Sequence, residues 1–125
     1  MKRSIAISVA LLAAVPGLAR APAVARAGEI VIPLPAGARA ETIEARYECG
    51  AFGVVEARYV NAPPVALVSL SFKGEFLVAS NVTAASGARY AGGTYIWWTK
   101  GDSADLYDVT LGEDAAPVAS CFSAG

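Results

Sequence analysis

Across residues 43–49 apolar and polar side chains alternate without a break. Ile43, Ala45, Tyr47 and Cys49 fall on one side, and Glu44, Arg46 and Glu48 on the other. Successive side chains leave a strand on opposite faces, so this period of two predicts a strand with one buried face. Gly50 and Gly53 bracket a turn, after which Val55, Ala57 and Tyr59 alternate with Glu56 and Arg58 in a second strand. Asn61-Ala62-Pro63-Pro64 stops it, because proline has no N–H to give to a ladder. A third strand is predicted over residues 65–72, with Val68, Leu70 and Phe72 set against Ser69 and Ser71. Lys73-Gly74 is a tight reversal into a fourth over residues 75–80. Residues 94–99, 104–111 and 117–122 are further strand candidates, and no segment after residue 27 carries a sustained 3.6-residue stripe. Short strands at even spacing predict an all-β, antiparallel sandwich or barrel forming one domain.

The start of the chain follows a different pattern. Lys2 and Arg3 precede an apolar run over residues 5–15, Pro16 and Gly17 break it, and small residues follow. This is the pattern of a secretory signal peptide, residues 1–27, with cleavage after Ala27 or Ala25. The run is far shorter than the roughly 20 residues a membrane helix needs. Residues 28–42 contain Pro33 and Pro35 and are expected to form an extended leading segment, which leaves residues 43–125 as the folded domain.

Removal of residues 1–27 takes away Lys2, Arg3, Arg20 and Arg26 and no acid, leaving 6 basic against 11 acidic groups, a net charge of −5. An acidic domain is a poor match for nucleic acid, which attracts basic stripes. It suits a basic protein partner, whose encounter it would accelerate. The only two cysteines, Cys49 and Cys121, read as one disulfide in an exported chain. Two thiols in a chain without histidine make a poor zinc site, so neither a metal nor a cofactor is expected.

The candidate chemistry gathers between residues 86 and 107. Ser86-Gly87-Ala88-Arg89-Tyr90 places a hydroxyl beside a glycine at a turn, and Lys100-Gly101-Asp102-Ser103 ends the following strand in a polar turn. In such turns Asp102 is able to orient the lysine or to cap the turn through its side chain. Between them Tyr95, Trp97 and Thr99 alternate with Ile96, Trp98 and Lys100, so the adjacent tryptophans face opposite sides and at least one packs inward. The other covers the outer face or joins a binding surface, where tryptophan is enriched. Taken singly, a serine before glycine is a turn residue and a lysine in a turn is a solvated charge.

Together, the motif SGARY, a glycine-bearing link, a Tyr-x-aromatic-Trp strand and KGD-x-A resemble the signature of the bacterial membrane-bound and periplasmic inhibitors of c-type lysozyme, the MliC/PliC family. The match runs without a gap over residues 86–107 and extends more weakly from about Arg46 through Cys121, leaving residues 28–45 unmatched. The resemblance implies a small antiparallel β-barrel of about eight short strands closed by one disulfide. It implies that two loops plug the lysozyme cleft through Ser86 and Lys100, with Gly87, Arg89, Tyr90, Gly101 and Asp102 completing the lysozyme-binding motif. It further implies a periplasmic protein whose partner is a basic host c-type lysozyme. Membrane-bound members carry a lipid on a cysteine directly after the signal peptide; no cysteine precedes Cys49, so the soluble branch and no lipid anchor are expected. Oligomeric state, including a dimer, stays open. Two other readings compete: a barrel binding an apolar or saccharide ligand through Tyr90, Trp97 and Trp98, and an enzyme using a Ser86–Lys100 dyad. Small barrels are usually filled by their own side chains, and no second motif supports catalysis, so a non-enzymatic inhibitor is the preferred reading.

Overall fold

Eight antiparallel strands, each bonded to the next in sequence, close on themselves through the pairing of the first with the last. They are β1 (Glu41–Glu48), β2 (Val54–Ala62), β3 (Val65–Phe72), β4 (Glu75–Val82), β5 (Ala88–Gly92), β6 (Tyr95–Lys100), β7 (Ser103–Asp108) and β8 (Ala119–Ser123). The structure, a computed structural model, describes residues 10–14, 16–17 and 28–124. The basic start of the chain, both cleavage sites and most of the expected signal peptide lie outside the described residues. The chain divides into a unit over Met1–Pro33, whose described residues carry no helix or strand, and a unit over Leu34–Gly125 that contains the barrel. No helix among the described residues is long and apolar enough to cross a membrane.

Hairpin turns set the register. Lys73 and Gly74 both have positive φ (48° and 73°), as the mirror-image type I′ turn demands, and they join Phe72 to its partner Glu75. Gly93-Thr94 and Gly101-Asp102 instead carry the positive φ on the first residue alone, the pattern of type II′ loops. Pro63-Pro64, linked by a cis peptide bond, closes β2 onto β3 after Ala62.

Alternation predicted on β1 to β3 matches the burial. Tyr47, Val55, Ala57, Val68, Leu70 and Phe72 are buried while Glu44, Arg46, Glu48, Glu56 and Arg58 are exposed. Ile43 is the exception, at 47% exposure. β8 pairs with β1 only at Tyr47 and Glu48, so the first half of β1 extends past its neighbour. Trp97, Leu70, Leu106, Val55, Val68 and Cys121 fill the centre of the barrel. Burying a large apolar side chain contributes about 1.5–3 kcal/mol. The Cys49–Cys121 disulfide joins the end of β1 to β8 across 72 residues of sequence.

β1 begins at Glu41, two residues inside the expected leading segment, and β2 runs on through Asn61 and Ala62 to the prolines; three elements differ more. The seven strand candidates missed β5, whose ARYAG sequence is too short and too rich in small residues to show a period. Its alternation becomes visible only as a buried Tyr90 between half-buried Arg89 and Ala91. The strand expected over residues 104–111 ends at Asp108, whose Oδ1 accepts hydrogen bonds from the Thr110 backbone N–H (3.0 Å) and hydroxyl (2.6 Å). That side-chain capping starts a 3₁₀ turn over Val109–Leu111 in place of further strand. The last strand begins at Ala119, not 117: Pro117 has no N–H to give to a ladder, and Val118 N–H donates to the Leu106 carbonyl just before the strand.

Candidate functional site

The loop between β4 and β5 carries Ser86 and Gly87, and the β6–β7 hairpin carries Lys100, Gly101 and Asp102. Ala88 pairs with Thr99, so the two turns sit side by side at one end of the barrel. Their contact is direct. Gly87 adopts φ +67°, and a Cβ placed there would collide with the Thr99 carbonyl oxygen and come within 2.8 Å of the Lys100 Cγ. Gly87 is thus the point where one turn rests on the other, and only a residue without a side chain fits. Ser86, Gly87, Lys100, Gly101 and Asp102 are exposed.

Trp98 joins the turns a second time. Its indole Nε1 donates to the Ser86 carbonyl at 2.9 Å, and the Lys100 ammonium lies 4.9 Å from the centre of its ring. The Arg89 guanidinium lies 5.6 Å from the same ring, consistent with the pairing of Arg89 with Trp98 on adjacent strands. Arg89 Nε is buried without a hydrogen-bond partner among the described residues. Beside this group, Arg89, Ile96, Trp98, Tyr107, Asp108 and Glu113 line a cleft of about 630 Å³. The single ion pair among the described residues is Arg46–Glu56, so no carboxylate of the described chain neutralises Lys100.

The β6–β7 hairpin is braced from below. Ser103 Oγ donates to the Lys100 carbonyl at 2.9 Å, and the backbone N–H of Ser123 donates to the Asp102 carbonyl at 2.7 Å. Of the two roles open to Asp102, orienting the lysine or capping the turn, the side-chain cap is made by Ser103, and Asp102 takes part through its backbone. Ser123 sits two residues beyond disulfide-bonded Cys121, so the crosslink, β8 and the lysine hairpin form one continuous support.

Tyr90 lies elsewhere. It is 6% exposed, with its ring 5.7 Å from that of Tyr59, and forms part of the core beneath the turns. Trp97 is fully buried; its Nε1 donates to the Tyr59 hydroxyl at 2.8 Å, and that hydroxyl is 2.9 Å from the hydroxyl of Tyr47. Burial pushes the Tyr59 phenol far above its ordinary value of 10; the Trp97 hydrogen bond opposes this and the Tyr47 contact adds to it. The interior proposed for a small ligand is occupied by these side chains.

Reading the sequence did not identify Ser103 or the double role of Trp98. A signal for the second was present: Trp98 and Lys100 are two residues apart on one strand and so share its outer face.

The site is thus an edge of a disulfide-tied β-barrel that presents two braced polar turns. The chain belongs to the family described as membrane-bound lysozyme inhibitor of c-type lysozyme, MliC, whose family model matches residues 47–114. It is 41% identical over 119 residues to a membrane-bound lysozyme inhibitor of C-type lysozyme from Cupriavidus necator, covering 94% of this chain and 91% of that protein. A protein of the same description from Pseudomonas aeruginosa is 38% identical over 92 residues, 72% of each chain. Among solved structures, the barrel resembles Pseudomonas aeruginosa MliC in complex with hen egg white lysozyme (TM-score 0.64, 34% identity, 76% of this chain and 95% of that one). It also resembles the periplasmic lysozyme inhibitor of C-type lysozyme from Salmonella typhimurium (TM-score 0.55, 29% identity, 67% and 99% covered).

Proposed function

We propose that this protein inhibits c-type lysozyme by inserting the Ser86 and Lys100 turns into the active-site cleft of the enzyme. Family membership supports the target, since the relatives are named as inhibitors of C-type lysozyme and one similar barrel was solved bound to a lysozyme. The observation that carries the two-turn reading is the seating of Gly87 against Thr99 and Lys100, which makes one edge of two loops distant in sequence.

The chemistry of such a plug follows from its target. A retaining glycosidase works with two carboxyl groups about 5 Å apart, one protonated and one ionised. The Lys100 ammonium, unpaired by any described carboxylate, is available to neutralise the ionised group in a cleft of low dielectric constant. The Ser86 hydroxyl donates or accepts, so it satisfies the second carboxyl group in either protonation state. Neither residue offers a glycosidic bond, and the enzyme is blocked without turnover. The relatives are named membrane-bound or periplasmic, which supports a place in the cell envelope, reached through the signal peptide over residues 1–27.

The direct test adds the domain from Gly28 onward to hen egg white lysozyme acting on a peptidoglycan suspension. Inhibition that saturates with added protein is the expected result; undiminished clearing at a large molar excess overturns the reading.

A further inference from the structure

Trp98 contacts both turns. Its N–H group is committed to the backbone of Ser86, and its ring lies under the ammonium of Lys100. The two interactions use different parts of one indole, so a single side chain restrains a loop on one strand connection and a lysine on another. Trp98 is half-buried, and Arg89 approaches the same ring. Its chain neighbour Trp97 is buried in the core and donates to the Tyr59 hydroxyl. We propose that Trp98 is a positioning residue that holds the Ser86 loop and the Lys100 side chain in their binding arrangement before any partner arrives. This rests on the inhibitory reading above, but the arrangement it describes belongs to the free protein.

The physical basis is the entropy of loop and side-chain ordering. Immobilising a long side chain on binding costs entropy, and rigidity built in beforehand removes part of that cost. An exposed cation–π contact is weak, too weak to hold the lysine away from a carboxylate partner but enough to narrow its conformations. A neutral hydrogen bond is similarly weak. Trp98 thereby supplies order at both turns without competing with the interaction it prepares.

Two variants separate the roles. Trp98→Phe keeps a ring for Lys100 and removes the N–H group that holds Ser86; Trp98→Leu removes both. In the free protein, backbone amide order parameters at Ser86 and Gly87 are expected to fall from the rigid range near ~0.85 to below about 0.6 in Trp98→Leu, while those of Val55 and Leu106 in the core stay rigid. Ki against hen egg white lysozyme is expected to rise about fivefold in Trp98→Phe, the value of one hydrogen bond, and tenfold or more in Trp98→Leu. The loss caused by Lys100→Met should be smaller in the Trp98→Leu background than in the wild type, because a lysine no longer positioned has less to lose. Unchanged order at Ser86 and Gly87 in Trp98→Leu overturns the inference whatever the inhibition shows. Loosening spread equally over the core overturns it too, marking Trp98 as a general packing residue. A wild type that does not inhibit removes the functional reading and leaves the order measurement to decide this one.

Discussion

Trp97 and Trp98 are chain neighbours whose indole N–H groups are satisfied on opposite sides of the barrel wall. Trp97 donates inward to the Tyr59 hydroxyl at 2.8 Å, and Trp98 donates outward to the Ser86 carbonyl at 2.9 Å. One strand thus anchors the core and the Ser86 turn with adjacent residues. Substitutions aimed at folding and at function should therefore separate cleanly along β6.

Ser86→Ala and Lys100→Ala should leave the fold nearly untouched, because both side chains are exposed and neither side chain donates or accepts a hydrogen bond among the described residues. A change of no more than about 0.5 kcal/mol in unfolding free energy is expected. Inhibition should respond strongly: Lys100→Ala should weaken binding by roughly 2–5 kcal/mol, since it leaves a buried carboxylate of the enzyme unpaired, and Ser86→Ala by somewhat less. Ki and thermal melts for both variants are the measurement. Wild-type Ki in both would move the inhibitory surface away from these turns.

Gly87→Ala should do damage that an equivalent change at Gly74 does not. Both glycines have positive φ (67° and 73°), so both variants bear the cost of a left-handed alanine, about 1–2 kcal/mol. At Gly74 the added methyl meets open space, whereas at Gly87 it meets the Thr99 carbonyl and Lys100. Gly87→Ala should separate the two turns and weaken inhibition, and Gly74→Ala should lower the melting temperature while leaving Ki unchanged. Equal Ki values for the two variants would contradict this account of the Gly87 contact.

Reducing the Cys49–Cys121 disulfide should lower stability substantially. The bridge spans 72 residues, and the chain-entropy relation for a loop of that length corresponds to about 4 kcal/mol. A fall in melting temperature of many degrees under reductant, with no thiol titrating in the oxidised denatured protein, is the expected outcome. Because β8 also braces Asp102, partial reduction should weaken inhibition before the barrel melts.

Tyr59→Phe tests the interior. Removing the hydroxyl strands the buried Trp97 N–H, a loss of about 1–3 kcal/mol, with no direct effect on the exposed turns. The pH dependence has a definite sign. Burial raises the Tyr59 and Tyr90 phenols above 10, so the folded state keeps protons that the unfolded chain gives up. Their contribution is complete below pH 10 and is lost as pH rises above it, by at most about 1.4 kcal/mol per pH unit for each tyrosine. Stability of the wild type should be insensitive to these groups from pH 7 to 9 and fall above pH 10, less steeply in Tyr59→Phe; identical slopes would exclude Tyr59 as a source.

The acidic surface should act on encounter and not on the locked complex. With a net charge of −5 over residues 28–125, association with a basic lysozyme should slow as salt is added, while dissociation changes little. Stopped-flow rates at two ionic strengths decide it: a salt-insensitive association rate would remove steering from the mechanism.

Much of this protein was legible in its residues because the signals were local. The alternation of Tyr47, Val55, Val68 and Leu70 with charged or hydroxyl neighbours is imposed by strand sterics alone, and it located the inner face of three strands. Lys73-Gly74 announced its hairpin because few residues accept positive φ at both positions. The lone pair Cys49 and Cys121 implied its bridge, and the Ser86–Tyr107 motif led to the family. Pattern alone left sandwich and barrel equal, since the closure depends on β1 meeting β8 at two residue pairs some 75 positions apart in sequence. Register across strands decided the rest. It made a strand of ARYAG, buried Tyr90, brought Gly87 onto Lys100 and placed Trp98 between the two turns. Each of these depends on which residue stands opposite which on a neighbouring strand, a relation no stretch of sequence contains and only the closed barrel sets.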